Sequence, residues 1–311
     1  MKIVIAGGTG QVGALLRRRA EARGDEVVVL SRHPDVAARE VGWDARTLGP
    51  WAQAIDGSDV VINLAGRSVN CRYTKENLAE MMDSRVDSTR VVGQAIAQAK
   101  RPPSTWLQMS TATIYAHRFD AANDEATGIV GGDEPGVPGY WGYSVEIAKA
   151  WERTQLEAET STRKVQLRTA MVMSPDRGGI FDVLATMARR GLGGPVGGGA
   201  QYISWIHEAD FCAAIDFLIE HPSIEGAVNF TAPNPLPQAE FMRTLRAAVR
   251  APIGLPATRW MAEIGAFVLR TDTELLLKSR RVVPGRLLEA GFGFTHPDWA
   301  GACHELAARW H

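Results

Sequence analysis

Seven residues near the amino terminus, Gly7-Gly8-Thr9-Gly10-Gln11-Val12-Gly13, have the types and spacing needed to cradle a pyrophosphate. They follow the apolar run Ile3-Val4-Ile5-Ala6 and lead into the helix-like run Val12-Gly13-Ala14-Leu15-Leu16-Arg17. Strand, tight glycine turn and helix, in that order, separate a dinucleotide-binding loop from an ordinary glycine turn. Gly7 can take backbone angles closed to other residues. Gly10 lets a pyrophosphate lie against the backbone, and Gly13 lets the helix pack close to the strand. Thr9, Gln11 and Val12 complete the turn, where the helix start offers free N–H groups and positive potential to phosphates.

The same fold says which dinucleotide to expect. An acidic residue at the end of the second strand holds the ribose 2′-hydroxyl of NAD. Here that strand, Val27-Val28-Val29-Leu30, is followed by Ser31-Arg32-His33, while Asp25 and Glu26 stand at its opposite end. Arg32 offers a planar, permanently charged fork suited to a 2′-phosphate, and Ser31 can donate a hydrogen bond. NADP(H) is therefore expected. Asp44 is placed to accept from the adenine amino group. Leu64-Ala65-Gly66, at the end of a later strand, should lie beside the adenosine ribose and the pyrophosphate.

The rest of the chain must position these groups. Short, nearly continuous apolar runs recur at Val60–Ala65, Trp106–Ser110 and Val165–Val172, separated by helical stretches. That alternation indicates an α/β protein, a Rossmann-type doubly wound parallel sheet covered on both faces. Residues 74–100 read as one long amphipathic helix, with Leu78, Met81, Met82, Arg85, Val86, Thr89, Val92 and Ile96 at helical spacing. Residues 119–139, acidic and rich in glycine and proline, read as a surface loop. After about Glu220 the pattern changes: a strand at 227–231, then helices at 238–249 and 258–269. We expect an NADP-binding domain over 1–220, with substrate-side insertions near 174–203. A smaller, mixed C-terminal subdomain over 221–311 should cover the substrate.

Composition excludes several classes. The chain has 311 residues and a formal net charge of −1, so nothing global draws it to nucleic acid or to an anionic membrane. No apolar run approaches the length of a membrane span. The three cysteines, Cys71, Cys212 and Cys303, form neither a metal spacing nor a disulfide framework. A reducing, cytoplasmic setting is expected, with no metal. The expected partner is a small-molecule substrate, and a homodimer is allowed.

The chain resembles the extended-like NAD(P)-dependent epimerase/dehydratase branch of the short-chain dehydrogenases/reductases. More narrowly, it is similar to an atypical subgroup called epimerase family proteins, which carry a C-terminal domain of unknown function. The resemblance rests on Gly7–Gly13, Asn63–Gly66, Ser84-Arg85-Val86 and Leu192–Pro195, and on Ser204-Trp205-Ile206-His207, Val228–Pro233 and Val283–Phe292. It implies a Rossmann core and a nicotinamide cofactor, with no substrate attached.

Ordinary members of that superfamily use a Tyr as acid/base, a Lys one helical turn later and a Ser or Thr on a neighbouring strand. The lysine is needed because a free phenol titrates near ~10, and sharing a helix face requires i,i+4 spacing. Thr111, within Ser110-Thr111-Ala112-Thr113-Ile114-Tyr115, fits the Ser/Thr position. The pair does not fit. Tyr143 and Lys149 are six apart, on different helix faces at about 100° per residue. Matching Glu152 to the family's later acidic residue puts Ser144 and Ala148 at the two positions. Tyr143, with Lys149 nearby, remains the candidate proton source if it lies in the preceding loop; Tyr115 and Tyr140 are other phenols. Arg85 carries a fixed charge that either holds an anionic substrate group or makes a structural ion pair. Trp205 and His207 are expected on the substrate side, with His207 a candidate proton donor or a structural histidine.

These residues lead to an NADP(H)-dependent oxidoreductase of atypical mechanism. Its rivals are a non-catalytic NADP(H)-binding regulator or scaffold, and a nucleotide-sugar epimerase or dehydratase that keeps its cofactor.

Overall fold

Alternating side chains of the first strand point to the two apolar faces of one sheet. Along β1 (Lys2–Ala6), Ile3 and Ile5 point to one face and Val4 and Ala6 to the other. The first face is covered by α1 (Gln11–Ala22) and α5 (Glu208–Glu220), through Leu15, Leu16, Phe211, Ile215 and Leu218. The second is covered by α2 (Lys75–Gln98) and, around Trp106, by its packing partner α3 (Gly142–Leu156). A strand buried on both sides must be apolar throughout, which is why these runs do not alternate with polar residues.

The computed structural model describes residues 1–35, 37–258 and 274–311. Six further strands join β1 in one parallel sheet: β2 (Glu26–Ser31), β3 (Glu40–Gly42), β4 (Val60–Asn63), β5 (Thr105–Thr111), β6 (Arg163–Thr169) and β10 (Gly226–Phe230). Their order is β10-β6-β5-β4-β1-β2-β3. The order reverses between β1 and β4, and ligands of such sheets lie beyond the strand ends at that point. The Gly7 loop and Leu64–Gly66 are the two segments found there.

The long helix expected over 74–100 is present as α2, and Thr74 caps it by accepting from the Asn77 N–H at 3.2 Å. Three features differ from expectation. The apolar run 165–172 is not one strand: after Ala170 the chain leaves the main sheet, and β7 (Met171–Met173) pairs with β9 (Trp205–His207). The short strand β3 has too few apolar residues to announce itself. The boundary placed at 220 falls too early, because β10 completes the main sheet by pairing with β6.

A second core joins both halves of the chain. It combines Met173 and residues of α4 (Ile180–Arg189) with Ile203 of β8 (Tyr202–Ile203) and Trp205. These meet α6 (Gln238–Ala248) and, beyond the short described helices α7 (Glu274–Leu277) and α8 (Gly285–Glu289), helix α9 (Trp299–Arg309). The strand β11 (Leu236–Pro237) pairs antiparallel with β8. The helix expected over 258–269 lies, beyond Thr258, outside the described residues. No helix among the described residues is long and apolar enough to cross a membrane.

Candidate functional site

The three spaced glycines of the loop are glycines for different reasons. Gly7 has φ +74°, and a Cβ there would lie 2.9 Å from the Ala65 backbone. A Cβ on Gly13 would lie 2.4 Å from the Gly8 carbonyl oxygen, so packing of α1 against the loop forbids it. Gly10 caps α1 without a side chain, and a Cβ there would find nothing closer than 3.8 Å. Packing demands the first two, whereas Gly10 keeps a space open in front of the first N–H groups of α1. Thr9 and Gly10 are exposed, and Gln11 and Val12 form the first turn. The Gln11 Nε2 is buried and meets no acceptor among the described residues. An open cradle of N–H groups with a spare buried donor fits a pyrophosphate.

At the end of β2, Ser31 is buried and its Oγ accepts from the His33 N–H at 3.2 Å. Arg32 is exposed and bonded to no described residue, so its fork is available to a phosphate. Asp44 accepts from the Thr47 Oγ at 2.6 Å and from the Arg46 and Thr47 N–H groups, both at 2.9 Å. The Thr47 bonds, ahead of the Arg46 bond, hold its carboxyl down to about 2. Three of roughly four acceptor positions are used, which leaves one for an amino group. Ala65 is buried against Gly7, with its N–H on the Asn63 Oδ1 at 3.1 Å. Leu64 donates its N–H to the Ala6 carbonyl, and Gly66 is exposed.

Thr111 ends β5 and starts a short turn, its Oγ accepting from the Thr113 N–H at 3.1 Å. Its own hydroxyl proton is spent on no described residue. The structure does not bring Tyr143 and Lys149 together. Tyr143 is 56% exposed in the first turn of α3. Lys149 reaches outward to the Glu146 carboxylate at 2.9 Å. Val145 and Ala148 are buried, and the Ser144 hydroxyl donates to the Glu274 carboxylate. Tyr115 is buried, donates to the Asn229 Oδ1 at 2.9 Å and accepts from the Arg168 guanidinium at 2.9 Å. Burial pushes its phenol up, which makes it a poor acid.

Arg85 is buried and makes no ion pair with a described carboxylate. It donates to the carbonyls of Met81 at 2.9 Å and Arg67 at 3.1 Å, and lies 4.9 Å from the centre of the Trp151 ring. Burial lowers its guanidinium to about 10. The bonds show a clamp on the loop after β4, and three of its five N–H donors are spent on neither carbonyl.

Trp205 and His207, expected on the substrate side, are both buried on β9. Trp205 is wholly buried in the second core, 5.0 Å from the Trp299 ring. His207 caps α5, its Nδ1 accepting from the Ala209 N–H at 3.1 Å and its Nε2 2.8 Å from Glu305. Burial lowers its pKa, against the opposing pull of Glu305. Both ring nitrogens are thus engaged, one by the α5 start and one by Glu305.

One group of residues was missed in the sequence. Glu274 and Lys278 form an ion pair at 3.4 Å, their side chains 0% and 1% exposed. The Lys278 ammonium donates to the Thr113 carbonyl at 2.9 Å, and Arg280 donates through Nε to the Thr113 Oγ at 3.0 Å. The available signal was Glu274-Leu-Leu-Leu-Lys278, two opposite charges at i,i+4 around three leucines. The segment therefore packs a carboxylate and two cations against the turn that Thr111 begins. Among the described residues no three His, Cys, Asp or Glu side chains gather as a metal site.

A Rossmann sheet with an open glycine loop at its switch point defines a dinucleotide-binding fold. The chain belongs to the NAD dependent epimerase/dehydratase family, whose model matches residues 3–229; residues 257–306 match a domain of unknown function, DUF1731. It is 31% identical to the human epimerase family protein SDR39U1, over 99% of this chain and all of that one. It is 29% identical to the epimerase family protein YfhF of Bacillus subtilis, over 99% of this chain and 98% of that one. The crystal structure of human SDR39U1 with NADPH superposes with a TM-score of 0.86 at 28% identity, covering 99% of each chain. A UDP-N-acetylglucosamine 4-epimerase from Bacillus cereus, 15% identical with a TM-score of 0.73 and 99% of each chain covered, shares the fold.

Proposed function

We propose that this protein is an NADPH-dependent reductase of a small carbonyl compound. The observation that carries the reading is Arg32 at the end of β2, bonded to no described residue where a 2′-phosphate would lie, in line with the open Gly10 cradle. The NADPH in the human relative's structure supports the same cofactor. Gly10, Gln11 and Val12 would hold the pyrophosphate, Ser31 and Arg32 the 2′-phosphate, Asp44 the adenine, and Leu64–Gly66 the ribose. When bound, the nicotinamide supplies hydride. Thr111 would orient the substrate, donating its free hydroxyl proton to the carbonyl oxygen. Holding a carbonyl near the attack geometry contributes much of such a rate enhancement.

The test is to titrate NADPH and NADH, then follow NADPH absorbance against a panel of aldehydes, ketones and quinones. Preference for NADPH, with turnover lost in Thr111→Val, supports the reading. A second reading, a sensor that binds NADPH without chemistry, draws on the separation of Tyr143 from Lys149. Tight binding with no turnover by the wild type would favour it. Conversion of a nucleotide sugar without net NADPH consumption would point to an epimerase.

A further inference from the structure

The geometry points to Lys278, supplied by the C-terminal segment, as the proton donor that stands in for the missing tyrosine–lysine pair. The inference rests on the reductase reading. An ammonium has three N–H donors. Lys278 gives one to the Thr113 carbonyl and one to Glu274, and the third meets no acceptor among the described residues. A buried, unspent N–H is costly unless something accepts from it. Lys278 is tied to the turn whose first residue, Thr111, would hold the substrate carbonyl. A carbonyl oxygen there is the kind of acceptor that third N–H lacks.

The surrounding groups hold the lysine in place. Glu274 grips the ammonium on one side and takes the Ser144 hydroxyl on the other. In the register that matches Glu152 to the family's later acidic residue, Ser144 stands at the tyrosine position, and the carboxylate–ammonium pair lies next to it. Arg280 donates to the Thr113 hydroxyl and to the carbonyls of Glu274 and Lys278, fixing the backbone. Other charged or titratable neighbours are Glu134 of the 119–139 loop, Tyr73 beside Arg280, and His117, which accepts from the Ser279 N–H. Burial lowers the Lys278 pKa, Arg280 adds to that, and Glu274 and Glu134 oppose it. A lysine moved toward neutral pH gives up its proton more readily than a free one.

The step balances simply. The carbonyl carbon gains a C–H bond from hydride as the C=O π pair moves to oxygen. That oxygen gains an O–H bond as the Nζ–H bond of Lys278 breaks. The alcohol carries two more electrons than the carbonyl, the cofactor is oxidised by the same two, and the neutral amine recovers a proton from water.

The experiment uses full-length protein with NADPH and 9,10-phenanthrenequinone as the carbonyl probe, backed by the aldehyde and ketone panel. Lys278→Met should lower kcat about 100-fold while the NADPH dissociation constant stays within about twofold. Lys278→Arg, which keeps the charge but holds its proton too tightly, should stay equally slow. Wild-type kcat should fall as pH rises through the Lys278 pKa, and Glu274→Gln should move that limb to lower pH. Thermal melts check that each variant is folded. In NADP-loaded protein, the Lys278 ¹⁵Nζ resonance should titrate below those of exposed lysines. Titration at or above the exposed lysines overturns the proposal whatever the turnover. Full turnover by a folded Lys278→Met variant overturns it and leaves the reductase reading standing. No turnover by the wild type overturns the reductase reading, and the donor role falls with it.

Discussion

Arg168 on β6 grips Glu152 on α3 through two parallel bonds, Nε to Oε1 at 2.9 Å and Nη2 to Oε2 at 2.8 Å. The same carboxylate accepts from Ser110, next to Thr111, at 2.6 Å. The pair thereby fixes the end of β5 against the helix beside it. Both side chains are nearly buried, so removing one leaves the other charged in a place poor in water. Glu152→Ala should cost about 3–5 kcal/mol in a denaturant titration. A loss under 1 kcal/mol would mean that water reaches the site.

Two glycine substitutions should separate packing from binding. Gly13→Ala forces a Cβ into the Gly8 backbone and should lower the melting temperature and NADPH affinity together. Gly10→Ala meets no protein atom closer than 3.8 Å, so the melting temperature should hold. Its NADPH affinity should fall at least about tenfold, roughly 1.4 kcal/mol. Calorimetry and a melt on each variant check both.

Arg32→Ala should weaken NADPH by roughly 10–100-fold, the worth of a charge-assisted phosphate contact at about 1.5–3 kcal/mol, and leave NADH nearly unchanged. Equal losses for both cofactors would remove Arg32 from the 2′-phosphate.

Exposed Tyr143 and outward-paired Lys149 should be dispensable. Tyr143→Phe and Lys149→Met should bind NADPH and turn over the carbonyl probe within about twofold of wild type, a difference near 0.4 kcal/mol. A hundredfold loss in either would restore the role expected from the sequence.

His207 makes stability depend on pH in a definite direction. Burial, opposed by Glu305, lowers its folded pKa below the unfolded value near ~6.5. The unfolded chain then binds more protons in this range, so stability is full above the unfolded pKa and is lost as pH falls through the folded one. The wild-type melting temperature should drop between about pH 7 and 5, and His207→Asn, which can still cap α5, should flatten that drop. An unchanged slope would show that other groups carry it.

Much of this was legible where local rules decide. The Gly7–Gly13 turn, the apolar strands and the Thr74-capped helix each follow from a short segment. The failed spacing of Tyr143 and Lys149 was equally plain, because helical periodicity alone separates them. The Glu274–Lys278 cluster packed against the Thr111 turn was not legible, because its partners come from distant segments. Glu274 is 130 residues from Ser144, and Lys278 is 165 from Thr113. His207 read equally as a proton donor or a structural histidine, because a histidine's neighbours, here Glu305 and the α5 start, are invisible in a linear reading. The β6–β7 break was hidden because one apolar run serves two different sheets.

The interleaving of the two cores has a consequence for synthesis. The core around α1 and α5 takes Leu287 and Phe292 from the far end of the chain, and the second core needs Trp299 and Leu306. Neither can close while the segment from Leu287 to Leu306 is still inside the ribosome. The nascent chain must carry the apolar faces of β7, α4 and β9 uncovered until that segment emerges, which exposes them to misassembly. A ribosome stalled once β10 has emerged, but before Leu287, would therefore present a finished sheet order on an unfinished protein. Protection of the Gly7 loop from protease should appear only once Leu287 and Phe292 have emerged.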